Sequence, residues 1–151
     1  MMSNKTTKTE GKLQASGTSV SGFSTTDVSA QRHLSDKGYT FEGVSTKGER
    51  LVFFVRTLEI TQGKSFPVEQ YGGGGTAAAI FIDDENYVYN GKSGKINFEQ
   101  FDIKTEKVKI FAKFVMFNES GEKNVEARGE FTGIGQSNKK VLDEKGAFKV
   151  G

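Results

Sequence analysis

Cysteine is absent from the chain, which removes disulfides, thiol nucleophiles, iron–sulfur clusters and cysteine-ligated zinc in one step. That absence leaves the compartment open, because a disulfide-free protein works on either side of a membrane. Tryptophan is also missing, proline occurs once, at Pro67, and histidine once, at His33. One imidazole without a thiol partner cannot assemble a zinc site. No charge of one sign prevails: 21 Lys and Arg face 19 Asp and Glu, a net +2. Long-range attraction to nucleic acid or to an anionic membrane has little to draw on. No run approaches the ~20 apolar residues that span a bilayer. The polar start from Met1 to Gly11 carries no export signal as it stands, so a place outside the cytoplasm is expected only if a leader has been removed.

What the chain does have is thirteen Phe and nineteen Gly in 151 residues. The length suits one folding unit with one core. A domain of this size buries roughly 70% of the surface its unfolded chain exposes, enough for stability without a metal or cofactor. Large aromatic side chains concentrate the apolar area of an otherwise polar sequence. The expected organisation is a flexible N-terminal arm over residues 1–10 and a single β domain over residues 11–151.

Short runs rich in Phe, Val, Ile, Tyr and Thr lie between the glycines, the pattern of strands joined by turns. From Glu106 to Phe117, the residues Val108, Ile110, Ala112, Phe114 and Met116 fall on one face and Lys107, Lys109 and Lys113 on the other. Period-two alternation of this length predicts a strand with one buried and one wet face. Val115 and Phe117 fall on the wet side, so that end is expected to be covered by a loop or a partner. Asn124 to Ile134 is the predicted hairpin mate, through a polar turn containing Gly121, with Glu126 and Glu130 opposite lysines. Arg50 to Ile60, apolar on both faces, predicts a central strand, preceded by Tyr39 to Val44. Thr76 to Ile82, Glu85 to Tyr89 and Lys95 to Phe101 predict three more, with Asn90-Gly91 as a turn and a bulge near Glu99-Gln100. Thr25 to Leu34 is expected to form one short helix behind a Thr or Asp cap, and Ala147 to Val150 a final edge strand. The fold expected is all-β, an antiparallel β-sandwich or flattened barrel of about eight to nine strands with at most one short helix.

Few residues point to chemistry. Asp83, Asp84 and Glu85 place carboxylates on one turn and are the candidate Ca²⁺ ligands, though they lack the alternation and glycine of an EF-hand loop, and a solvated turn is the simpler reading. The run Gly72 to Gly75 has no Lys-Ser/Thr after it and no helix to aim amides at a phosphate, which leaves a flexible loop, beside a binding mouth at most, with Tyr71 at its entrance. Phe111 and Lys113 are the other candidate binding residues. They interleave an aromatic ring with a cation as nucleic-acid binders do, but the near-neutral charge speaks against that partner, and a solvated lysine face paired with glutamates is simpler. The Ser/Thr-rich segment Ala15 to Ala30 resembles in composition hairpins that enter membranes, but its alternation is poor, which favours an edge strand or linker.

Three short motifs, Gly11-Lys12-Leu13-Gln14-Ala15, Ser93-Gly94-Lys95-Ile96-Asn97-Phe98 and Gly129-Glu130-Phe131, together resemble small uncharacterised secreted proteins and lipoproteins with a β-sandwich fold, best known from Bacteroidota. The resemblance implies a β fold and an extracytoplasmic site. It implies no activity and no functional residue. The chain departs from that group in lacking the lipid-bearing cysteine and the tryptophan that often follows the first glycine. The expectation is a non-enzymatic module without cofactor that binds a small ligand or a protein and no nucleic acid, its oligomeric state open. A membrane-active β protein is the alternative, and a hydrolase using Asp83, Asp84 or His33 the third reading.

Overall fold

The structure is a computed structural model that describes residues 8–17, 20, 22–72 and 74–137. Eleven strands run through the described residues: β1 (Glu10–Gly17), β2 (Phe23–Thr25), β3 (Val28–His33), β4 (Gly38–Val44), β5 (Arg50–Val55), β6 (Ser65–Pro67), β7 (Ala77–Ile82), β8 (Val88–Asp102), β9 (Lys107–Asn118), β10 (Gly121–Thr132) and β11 (Gly135–Ser137). They form one sheet in the order β11-β3-β4-β5-β7-β8-β9-β10-β1-β2, with β6 added beside β8. All ladders are antiparallel except β11 on β3, so the sheet is mixed. It curls into a half-barrel in place of two stacked sheets. The all-β class stands, and of the two expected forms the flattened barrel is the nearer. The expected strand count fell short because β2, β6 and β11 have three residues each, too few to display a period.

The hairpin of β9 and β10 follows the sequence pattern closely. Val108, Ile110, Ala112, Phe114 and Met116 are buried, as are Val125, Ala127 and Phe131 on the facing strand. Lys113 lies opposite Glu126 and Lys109 opposite Glu130, which places opposite charges side by side on the wet face. The turn is two residues long, and the Asn118 side-chain oxygen accepts the Ser120 amide at 2.7 Å. β4 and β5 pair as expected through a turn in which the Ser45 hydroxyl accepts the Glu49 amide at 3.1 Å. The expected bulge is present as a register shift between Phe98 and Gln100.

Two expectations are corrected. Thr25 to Leu34 is not a helix: Val28 and Ala30 are buried and the other residues of β3 half-exposed, and β3 pairs with β4 along its whole length. Val28 and Ala30 alone mark the inner face of β3, too few apolar residues to display a period of two. Asn90-Gly91 is not a turn either. Both residues lie inside β8 and pair with Phe117 and Met116 of β9, so long-range pairing prevails over a strong local turn preference. The stretch Ala147 to Val150 lies outside the described residues, as do residues 1–7 of the expected arm, whereas Thr9 is buried and Glu10 begins β1.

Aromatic rings fill the inside of the curl. Phe41 of β4 meets Phe98 of β8 at 5.7 Å and Phe131 of β10 at 5.4 Å between ring centroids. Phe53 of β5 reaches Phe114 of β9 at 6.0 Å, and Phe23 of β2 reaches Phe81 of β7 at 6.0 Å. These contacts join strands that are not neighbours in the sheet, so burial of the rings is what bends it. Gly43 shows how close the approach is: a β-carbon there would lie 2.9 Å from side-chain carbons of Leu13 and Thr25 on β1 and β2. A smaller cluster of Val52, Phe54, Ala78 and Ile80 sits on the outer face of β5 and β7, which accounts for the two-faced apolar run from Arg50.

Where the two ends of the sheet approach each other, hydroxyls take the place of a continuous ladder. The buried Thr9 hydroxyl accepts the Ala30 amide of β3 at 3.0 Å and donates to the Gly133 carbonyl at 2.8 Å. The Thr25 hydroxyl donates to the Val44 carbonyl at 2.6 Å, and the Val44 amide donates to the Asp27 carbonyl at 3.0 Å. Thr9→Val keeps the volume but strands a buried donor and a buried acceptor, which costs about 1–3 kcal/mol. Urea denaturation should show that loss in Thr9→Val and recover most of it in Thr9→Ser.

Tyr39 is buried among Phe41 and Phe101, and burial raises its phenol above the ordinary value of 10.0, against the opposing charge and hydrogen bond of Arg32. The folded state therefore holds the phenolic proton more tightly than the unfolded chain. Its stabilising contribution is complete below pH 10.0 and is lost as pH rises through the folded value. Tyr71, raised by the same cause, acts in the same direction. Denaturation midpoints measured on either side of that range should fall less steeply with pH in Tyr39→Phe than in the parent chain.

Candidate functional site

A groove of about 660 Å³ runs over the outer face of β8, β9, β10 and β1. The hydrogen-bond register places its side chains in rows that cross the strands. One row is Lys95, Lys113, Glu126 and Ser16, and the next is Asn97, Phe111, Arg128 and Gln14. Val115 and Asn124 oppose each other on the other side of the lysine row. Phe111 and Val115 are the apolar side chains that this face gives to the groove, both half-buried.

The strand geometry keeps that surface open. Register irregularities at Gly91/Ser93 and Phe98/Gln100 bracket the part of β8 that faces the groove, and such irregularities bend a strand and increase its twist. Gly94 has φ of 120°, and a β-carbon there would lie 2.3 Å from the Lys113 carbonyl oxygen. Gly17 on β1 is in the same condition against Asn124. The two flanking strands of the site thus each carry a position that admits no side chain.

Several contacts hold the apolar side chains in place. The Arg128 guanidinium lies 4.3 Å from the Phe111 ring centroid, a cation–π contact. Asn97 donates to the Phe111 carbonyl at 3.2 Å and accepts from the Ser65 hydroxyl of β6. A second hollow of about 240 Å³, lined by Gln14, Ala15, Ser16, Glu126 and Arg128, adjoins the groove through Ser16 and Glu126. It extends the site toward more polar groups.

The charges along the wet face of β9 are unequal in their surroundings. Lys107 lies between Asp102 and Thr132, and Lys109 between Gln100 and Glu130. Lys113 lies between Glu126 and Lys95, and Lys95 lies between Lys113 and Pro67. Two cations therefore sit directly opposite one another beside the apolar surface. Like charges at such a position are destabilising.

Of the residues singled out in the sequence, Phe111 and Lys113 come together in this groove. Tyr71 does not. Its ring packs on Phe54 at 4.8 Å over the outer cluster of β5 and β7, beside a small hollow that includes Gly72 and Gly75. Asp83 is engaged in its own turn, one carboxylate oxygen accepting the amides of Glu85 and Tyr87 at 2.9 Å each. No group of three or more His, Asp or Glu side chains suited to a metal ion occurs among the described residues. His33 shares a hydrogen bond with the Thr40 hydroxyl at 3.0 Å. It lies at the end of β3 that the register aligns with Gly38, Val55 and Ala77, whereas Asp83 and Asp84 follow Ile82 at the other end of β7. Six residues of extended strand, roughly 20 Å, separate those ends. The described part of the Ser/Thr-rich segment supplies β2 and the ends of β1 and β3, with Ala15, Val20, Phe23, Val28 and Ala30 turned into the core.

Lys95, Asn97, Glu126 and the two glycines escaped notice in the sequence as members of one site. Lys95 and Lys113 are eighteen positions apart by number, and only the register brings them face to face. Comparisons with protein-family models, curated proteins and solved structures find no match to this chain.

Proposed function

We propose that this chain is a non-enzymatic binding module that takes a small ligand with an apolar body into the outer groove of β8, β9, β10 and β1. The observation that carries the reading is the coincidence of about 660 Å³ of concave space with the half-buried Phe111 and Val115 among mostly polar and charged side chains. Ligand sites commonly occupy about 300–1,000 Å³, with an apolar lining and a few polar groups. Phe111 and Val115 supply the lining, and Asn97, Asn124 and Ser16 the hydrogen-bonding groups. The separation of His33 from Asp83 and Asp84 speaks against the hydrolase reading. The resemblance to small secreted β proteins favours a ligand met outside the cytoplasm.

The groove is tested with the neutral fluorophore N-phenylnaphthylamine, whose emission rises on leaving water. Saturable enhancement is expected with the parent chain. Val115→Arg, which puts a guanidinium into the apolar surface, should weaken binding about tenfold or more, equivalent to roughly 1.4 kcal/mol. Thr46→Arg, at an exposed position in the turn between β4 and β5, should leave it unchanged, with both variants retaining the parent circular dichroism. Absence of enhancement, or equal binding by Val115→Arg, overturns the reading.

A further inference from the structure

We infer that the ligand of the groove is an amphipathic carboxylate, its head group held between Lys95 and Lys113 and its apolar body lying against Phe111 and Val115. The inference rests on the groove being a ligand site and adds the chemistry of what enters it. The first support is the register. Lys95 and Lys113 are direct partners across β8 and β9, and Lys95 has Pro67 on its other side, so no carboxylate opposes it in the sheet. All three lysines of β9 face an acidic residue, Asp102, Glu130 or, for Lys113, Glu126, so Lys95 is the member of the pair that faces none. Among the described residues, no ion pair or hydrogen bond engages the ammonium of Lys95 or Lys113.

The second support is the charge balance. Among the described residues, two cations and the carboxylate of Glu126 line the groove, and the Arg128 guanidinium over Phe111 adds to this excess of positive charge beside an apolar surface. A bound carboxylate offsets that excess and relieves the repulsion between the lysines. A charged head group with an apolar body satisfies both halves of the site together. A neutral ligand leaves the lysines as they are, and a cationic one adds to the repulsion. We commit to a free small molecule over a membrane surface, because the lysines flank a concave groove and the whole chain carries a net charge of only +2.

The test displaces bound N-phenylnaphthylamine with dodecanoate, dodecanol and dodecylamine, each below its micelle-forming concentration. Dodecanoate is expected to displace the probe at about one-tenth or less of the concentration needed for dodecylamine, with dodecanol between them. In the double variant Lys95→Gln/Lys113→Gln the probe should still bind, and the three competitors should come within about twofold of one another. The double variant should also be no less stable than the parent in urea, since a repulsive pair has been removed. Equal displacement by the three competitors, or a carboxylate preference that survives in the double variant, overturns the assignment while leaving the groove a ligand site. A parent chain that binds neither the probe nor dodecanoate in calorimetry removes both. Binding to phosphatidylglycerol vesicles without binding of dodecanoate also overturns it, in favour of a membrane surface.

Discussion

The ring of Phe41 lies where the two halves of the curled sheet press together. It extends from β4, in the half of the sheet built from β3, β4 and β5, and touches Phe98 of β8 and Phe131 of β10 in the other half. A flat sheet would leave those three rings in water on one face. Bending it removes them, together with Phe53 and Phe114, and each buried ring withdraws on the order of 150–250 Å² from solvent. Gly43 and the Thr9 hydroxyl belong to the same event, since one allows the close approach of β4 to β1 and the other satisfies backbone groups where no ladder continues.

The outer groove follows from the bending. β8 is the strand that must serve several neighbours: β7 along Val88–Asn90, β6 along Lys95–Asn97, and β9 along nearly its whole length. It accommodates them with two register irregularities, and between these lie Gly94, Lys95 and Asn97. A single physical demand, covering the inner aromatic residues from both sides, therefore also shapes the surface where Lys95 meets Lys113. The lysines and Phe111 point away from the core, so the identity of the outer row is free to answer to a ligand without disturbing the curl.

How much of this could be read in the sequence differs from element to element. β9 and β10 were legible because the inner residues from Val108 to Met116 and from Val125 to Phe131 recur at every second position, with lysines, glutamates and Arg128 among the residues between them, and burial follows that alternation without exception on the inner face. β3 was not, because Ser29, Gln31 and Arg32 suit a capped helix as well as an edge strand, and only pairing with β4 decides. Asn90-Gly91 has the composition of a tight turn and sits inside a strand of fifteen residues. Phe111 and Lys113 were visible as an aromatic residue near a cation. Their companion Lys95 was not, since facing partners across a bulged ladder depend on a register that no local pattern encodes.

One aromatic core holds the two halves of the sheet as a single cooperative unit. Native-state amide hydrogen exchange tests it most directly. The amides of Phe41 and Phe53 on one side and of Ile110 and Phe114 on the other should exchange with the same free energy, equal to that of global unfolding. Exchange of β3, β4 and β5 at a distinctly lower free energy, with β8, β9 and β10 still protected, would contradict the account.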